Sequence, residues 1–155
     1  MAEDELIRKT LETSKTIAMV GVSSIKKEVS TNIKRRPSTI VMKYMQEFGY
    51  RVIPVNPFSA GEKIHGETVV AKLNDIKIPV DIVDVFRPSK EVPIIAEDAV
   101  KIGTKVFWLQ YGIQNNEAKK IVESKNIFYV SNKCIKQEYQ RLFLKVSPVF
   151  PALKN

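Results

Sequence analysis

The chain has 155 residues, 44% of them apolar and 27% charged, with a net charge of +8 and one cysteine. That suits a single domain with a full core, since about 150 residues bury roughly 68–70% of their unfolded surface. It excludes a disordered tail, an intramolecular disulfide and, with no apolar run near the roughly 20 residues that span a bilayer, a transmembrane helix. The acidic, amphipathic start MAEDELIRK is unlike a secretory signal, so a reducing cytoplasm is the expected compartment. Charge is concentrated in two places. Lys26, Lys27, Lys34, Arg35 and Arg36 face only Glu28 within residues 26–36. Lys133, Lys136, Arg141, Lys145 and Lys154 face only Glu138 in residues 133–155. The rest is neutral, which points to an anionic partner.

Residues 3–14 predict a helix, with Leu6, Ile7 and Leu11 on one face and acids leading. IAMVG, ending at Gly21, predicts the first strand, and a basic loop runs from Val22 to Pro37. Ser38 is expected to cap a helix carrying Ile40, Val41, Tyr44, Met45 and Phe48, stopped by Gly49. Residues 50–57, YRVIPVNP, predict a second strand. Residues 58–70 are polar and turn-like, with a short helix expected near Val69–Leu73. A third strand is expected at 80–86, a turn at Arg87-Pro88-Ser89 and a helix from Glu91 to Ile102, closed by Gly103. Then come a strand at 105–110, the Tyr111-Gly112 turn, a helix at 116–124, a strand at 127–130 and a helix at 134–144. The tail, with two prolines, is expected to lie extended over the surface.

Short apolar strands alternating with helices predict an α/β protein of three layers. The expected fold is Rossmann-like, with a five-stranded parallel sheet in the order 3-2-1-4-5. Ligands of such sheets sit beyond the carboxyl ends of the strands, at the switch point. That places Gly21, Ser23 and Ser24, then Asn56, Pro57 and Lys63, then Phe86, Arg87 and Pro88, then Gln110 and Gly112, and last Cys134 at one edge.

The first turn has the chemistry of a phosphate site. Gly21 lets the backbone approach a ligand, Ser23 and Ser24 offer hydroxyls, and Arg36 offers a forked donor. The helix at Ser38 presents unpaired N–H groups. The turn is not GxGxxG, and Asn56 stands where an NAD-binding domain carries an acid, which argues against NAD. Lys63 suits an extra ribose phosphate, as in NADP or coenzyme A. His65 and the pair Asp81 and Asp84 are read as structural, the aspartates as groups that cap or pair, and one histidine with one cysteine makes no usual zinc site. Cys134 lies at a helix start flanked by Lys133 and Lys136, a setting that suits a reactive thiol.

The runs RPSTIVMKYMQEFGYRVIPVNP (36–57), PVDIVDVFRPSKEVPIIAEDAVKIGTKVFWLQYGIQNNEA (79–118) and NKCIKQEY (132–139) resemble the CoA-binding protein family. The family consists of small single-domain proteins similar to the CoA-binding domain of the succinyl-CoA synthetase alpha subunit. The resemblance covers about residues 14–143. It implies CoA across the carboxyl edge. Gly21, Ser23, Ser24, Arg36 and Ser38 would face the diphosphate and pantetheine, and Val55, Asn56, Pro57 and Lys63 the 3′-phosphate end. Phe86, Arg87 and Pro88 would wall the adenine, and Gln110 and Gly112 would line the pantetheine arm. Apart from the resemblance, the setting of Cys134 predicts a mixed disulfide with the CoA thiol under oxidising conditions. Two features depart from the family pattern. The first loop is longer, and Asn132, Lys133 and Tyr139 replace an acid, a basic residue and a histidine. The synthetases' phosphorylated histidine belongs to a second domain, so ligase chemistry is not expected here.

The expected function is a cytoplasmic, non-catalytic module that binds CoA or an acyl-CoA, possible as a homodimer or with a protein partner. The alternatives are an NADP-dependent oxidoreductase with Tyr111 as proton donor, and nucleic-acid binding through the basic loop. The basic segments lack interleaved aromatics, which weighs against the latter.

Overall fold

The residues TIAMV are buried at every position, so this strand must lie inside a sheet covered on both faces. A computed structural model describes residues 2–23 and 37–144 of the chain. In chain order the elements are α1 (Glu3–Thr13), β1 (Thr16–Val20), α2 (Pro37–Glu47), β2 (Arg51–Val55), β3 (Lys63–Ile64), β4 (Glu67–Thr68), β5 (Ile82–Val85), α3 (Val92–Ile102), β6 (Val106–Leu109), α4 (Asn116–Glu123), β7 (Phe128–Val130) and α5 (Ile135–Tyr139). Tight 3₁₀ turns occur at Leu73–Asp75 and Ser89–Glu91, and α5 runs on into a π-helical segment, Gln140–Leu144.

Five strands form an all-parallel sheet in the order β2-β1-β5-β6-β7. Outside β2, Val70 forms a lone parallel bridge with Val55, at the place of the third strand in the order 3-2-1-4-5. The segment at 80–86 therefore lies beside β1, and the chain's direction of progress reverses between β1 and β5. Pro54 is tolerated in β2 because its carbonyl accepts from Val70 on the outer edge. Its missing N–H faces the same edge and leaves the β1 ladder intact.

Alternation of side chains divides the core into two layers. Ile17, Met19, Ile82 and Trp108 pack under α1, α2 and α5. Ala18, Val20, Val83, Val85 and Phe107 pack under α3 and α4, through Val92, Ala96, Ala99, Ala118 and Val122. Gly103 closes α3 at φ 72°, as expected of a helix-ending glycine.

The structure corrects several local expectations. Helix α2 starts at Pro37, so Ser38 lies in its first turn, where it is buried, and is not its cap. Residues 63–68 form a hairpin whose two-residue turn, His65-Gly66, has positive φ at both positions. No helix forms at 69–73, where Val69 and Val70 run extended beside β2 and only a 3₁₀ turn follows, at Leu73–Asp75. The tail beyond Leu144 and the basic loop, with Ser24 and Arg36, lie outside the described residues.

Asp81, just before β5, and Asp84, within it, behave differently. Asp81 accepts from the Lys15 and Thr16 N–H groups at 2.8 and 3.1 Å and pairs with Lys105 at 3.5 Å. Burial works against its charge, but these partners outweigh it and hold the carboxyl below its ordinary range. Asp84, against the expectation from the sequence, neither caps nor pairs. It is fully buried, both carboxyl oxygens lack a hydrogen-bond partner, and burial pushes the group well above the usual carboxylate range. Its neighbours in register are Met19 and Trp108, and neither side chain can neutralise a charge.

Candidate functional site

Three strands end together at the switch point, and a cleft opens over the last residues of β1 and β2 and over Arg87, just beyond β5. Val20 and Val55 are register partners at the ends of β1 and β2. The chain leaves β1 at Gly21, whose φ of 102° suits only glycine, and whose N–H donates to Val55 O at 2.8 Å. A Cβ there would lie 2.9 Å from Arg87 Cδ and 3.0 Å from the Phe86 carbonyl. Gly21 is therefore the place where the chain after β5 crosses the end of β1. Arg87 lies over it and donates through Nε and Nη2 to both oxygens of Glu91, at 2.9 and 2.8 Å. That pairing raises the already high pKa of the guanidinium and lowers that of the carboxyl.

The cleft has a volume of about 350 Å³. Its floor is apolar, made by Val20, Val55, Leu73 and Ile95, and Pro57 and Phe58 stand on one side. Its charged lining is balanced among the described residues, with Lys72 and Arg87 against Glu91 and Asp98. The β2 wall is held by Asn56, which is buried and uses both ends of its amide. Nδ2 donates to Val22 O at 3.0 Å, tying the loops after β1 and β2, and Oδ1 accepts from Phe58 N at 2.9 Å.

A second group gathers beyond β6. Gln110 is buried, and its Oε1 accepts from Ile135 N at 3.2 Å, the first residue of α5. Gly112, at φ 87°, donates to Asn132 Oδ1 at 2.6 Å. Trp108 Nε1 donates to Lys133 O at 2.7 Å. Cys134 follows at the start of α5, half-buried against the α1, α2 and α5 layer. Gln110, Gly112 and Cys134 thus share one end of the carboxyl edge, and the cleft occupies the other. Among the described residues no cluster of His, Cys, Asp and Glu is placed to hold a metal ion, and no helix is long and apolar enough to cross a membrane.

Residues 15–140 match the model of the CoA binding domain. The chain belongs to this family. The Bacillus subtilis (strain 168) protein YneT, described as uncharacterized, is 38% identical over 130 residues, covering 84% of this chain and 89% of that one. A Thermus thermophilus structure, cell-free ID.343, is similar with a TM-score of 0.82 at 37% identity, covering 92% of this chain and all of the other. A hypothetical protein from Pyrococcus horikoshii OT3 gives a TM-score of 0.80 at 37% identity, over 91% of this chain and 92% of that chain.

Within this CoA-binding domain the structure divides the residues singled out from the sequence. Gly21, Val55, Asn56, Pro57 and Arg87 line the cleft. Ser23, Ser38, Phe86 and Pro88 do not, although all stand near the strand ends, and Phe86 packs instead toward the α1, α2 and α5 layer. Lys63 is exposed on the hairpin, paired in register with Thr68, and Lys72 stands at the cleft in its stead. Tyr111 is 77% exposed on its turn. The sequence reading missed Lys72, Leu73, Glu91, Ile95 and Asp98. A usable signal existed for the last three, since positions 91, 95 and 98 share one helical face. Another was the His65-Gly66 turn, which sends the chain back along β2.

Because both amide ends of Asn56 are committed, Asn56→Ala is expected to cost about 1–3 kcal/mol. Urea unfolding checks this, and an unchanged midpoint would show that water replaces both bonds.

Proposed function

We propose that the chain is a non-catalytic module that binds coenzyme A or an acyl-CoA along the carboxyl edge of the sheet. Membership in the CoA-binding domain family supports the ligand. The observation that carries the location is the apolar cleft at the ends of β1, β2 and β5, with Gln110, Gly112 and Cys134 further along the same edge. In this reading the adenine enters the cleft over Val20, Val55 and Ile95, with Arg87 and Pro57 beside it. The diphosphate faces the start of α2, where the helix dipole favours an anion. The pantetheine arm then runs toward Gln110 and Gly112, and its thiol toward Cys134. Lys72, in place of Lys63, is the described cation nearest to a 3′-phosphate.

Thermal unfolding with CoA, dephospho-CoA and NADP at equal concentration tests this. At a hundred times the dissociation constant, binding adds about 2.7 kcal/mol, or several degrees for a chain of this size. The midpoint is expected to rise with CoA and to rise less with dephospho-CoA. A rise with NADP alone would replace this reading with the oxidoreductase, and no rise with any of the three would remove it.

A further inference from the structure

The cleft that this reading assigns to an anionic ligand has no net charge on its described lining, and the Arg87–Glu91 contact makes up half of that balance. Arg87 carries a guanidinium at the strand ends, yet both oxygens of Glu91 occupy it in a forked pair. We propose that Glu91 is a specificity-determining residue: it pins Arg87 across Gly21 and cancels its charge, so that this wall of the cleft takes the uncharged base and withholds the guanidinium from phosphate. The proposal rests on the CoA reading and deepens it.

Three observations support it. The Arg87 side chain is fixed at both ends, with its Cδ against Gly21 and its guanidinium on Glu91. The Glu91 backbone is held too, because its N–H donates to Pro88 O at 2.9 Å in the tight turn that leads into α3. The pair therefore presents a flat, neutralised surface beside an apolar floor, a setting that suits a heterocycle. A free guanidinium in the same place would be a phosphate fork. Asp98 lies two helical turns from Glu91 on the same wall of the cleft and adds a second negative charge that repels phosphate.

The test is calorimetric titration of the full chain and of Glu91→Gln with CoA, ADP and adenosine. At low salt the variant is expected to bind CoA and ADP about three- to tenfold more tightly, the effect of one released charge near a protein surface. The gain should shrink at high salt, and adenosine affinity should stay the same. Asp98→Asn, which leaves the Arg87 pair in place, is expected to gain clearly less. Equal gains in both variants would assign the effect to net charge and overturn the role of the pair. A Glu91→Gln variant that melts lower but keeps the ratio of CoA to adenosine affinity would make Glu91 merely structural, and would overturn the proposal. If CoA binds neither protein but ADP gains in the variant, the specificity role stands and the CoA reading falls. If CoA binds both proteins equally, the CoA reading stands and the specificity role falls. If none of the three ligands binds either protein, both fall.

Discussion

Gly21→Ala is expected to lower stability by about 2–4 kcal/mol, from a strained backbone conformation together with a forced contact. The backbone there has φ 102°, a region that side chains rarely adopt. The new methyl would also meet Arg87 Cδ at 2.9 Å and the Phe86 carbonyl at 3.0 Å. The arginine can move, but the carbonyl cannot move cheaply, since the Phe86 N–H donates to Val20 O at 2.8 Å and holds that backbone to β1. The expected fall in melting temperature is roughly 5–15 °C for a chain of this length. Ligand binding should suffer as well, because displacing Arg87 opens its pair with Glu91 and reshapes the cleft wall. Differential scanning calorimetry of the variant, with and without CoA, checks both parts. A variant that melts within a degree of the parent would show that the turn relaxes freely.

Asp84→Asn is the substitution with the largest expected dependence on pH. Asp84 is fully buried without a hydrogen-bond partner, and burial raises its pKa well above the ordinary value. Burial favours the neutral form in the folded chain, whereas the group ionises readily in the unfolded one. It binds its proton more tightly when folded, so its contribution is fully present below the unfolded value near 3.9. The contribution is lost as pH rises toward the folded value. Across that window the wild type should lose about 1.4 kcal/mol per pH unit relative to Asp84→Asn, which carries no titrating group. At pH 4 the variant should be no more stable than the wild type, because a buried amide also lacks partners. At pH 7 the variant should be the more stable. Urea unfolding of both proteins from pH 4 to pH 8 decides this, and a constant difference would mean that Asp84 finds a partner in solution.

These two sites also show how much of the molecule was legible in the sequence. Gly21 was legible, because a glycine that ends an apolar strand and precedes hydroxyl residues has few other uses. Asp84 was not. An aspartate in VDIVDVF looks the same whether its carboxyl meets a lysine, as Asp81 does, or meets Met19 and Trp108. The difference lies in strands that are distant in the chain. Asn56 is similar: its place at the end of β2 was readable, but its donation to Val22 joins loops 34 residues apart.

The sequence by itself determined the layers, the parallel sheet and the family. Continuous apolar runs separated by amphipathic segments admit few other arrangements, and the motifs at residues 36–57 and 79–118 are specific. The tertiary structure decided the walls of the cleft. The His65-Gly66 turn folds Lys63 back against Thr68 and returns the chain along β2, so that Lys72 and Leu73, not Lys63, reach the site. Glu91, just before α3, and the face of α3 that carries Ile95 and Asp98 became a wall only because β2 and its loop stand opposite. Local periodicity records which side of an element is buried. It does not record what the other side faces, and a ligand site is made of such facing sides.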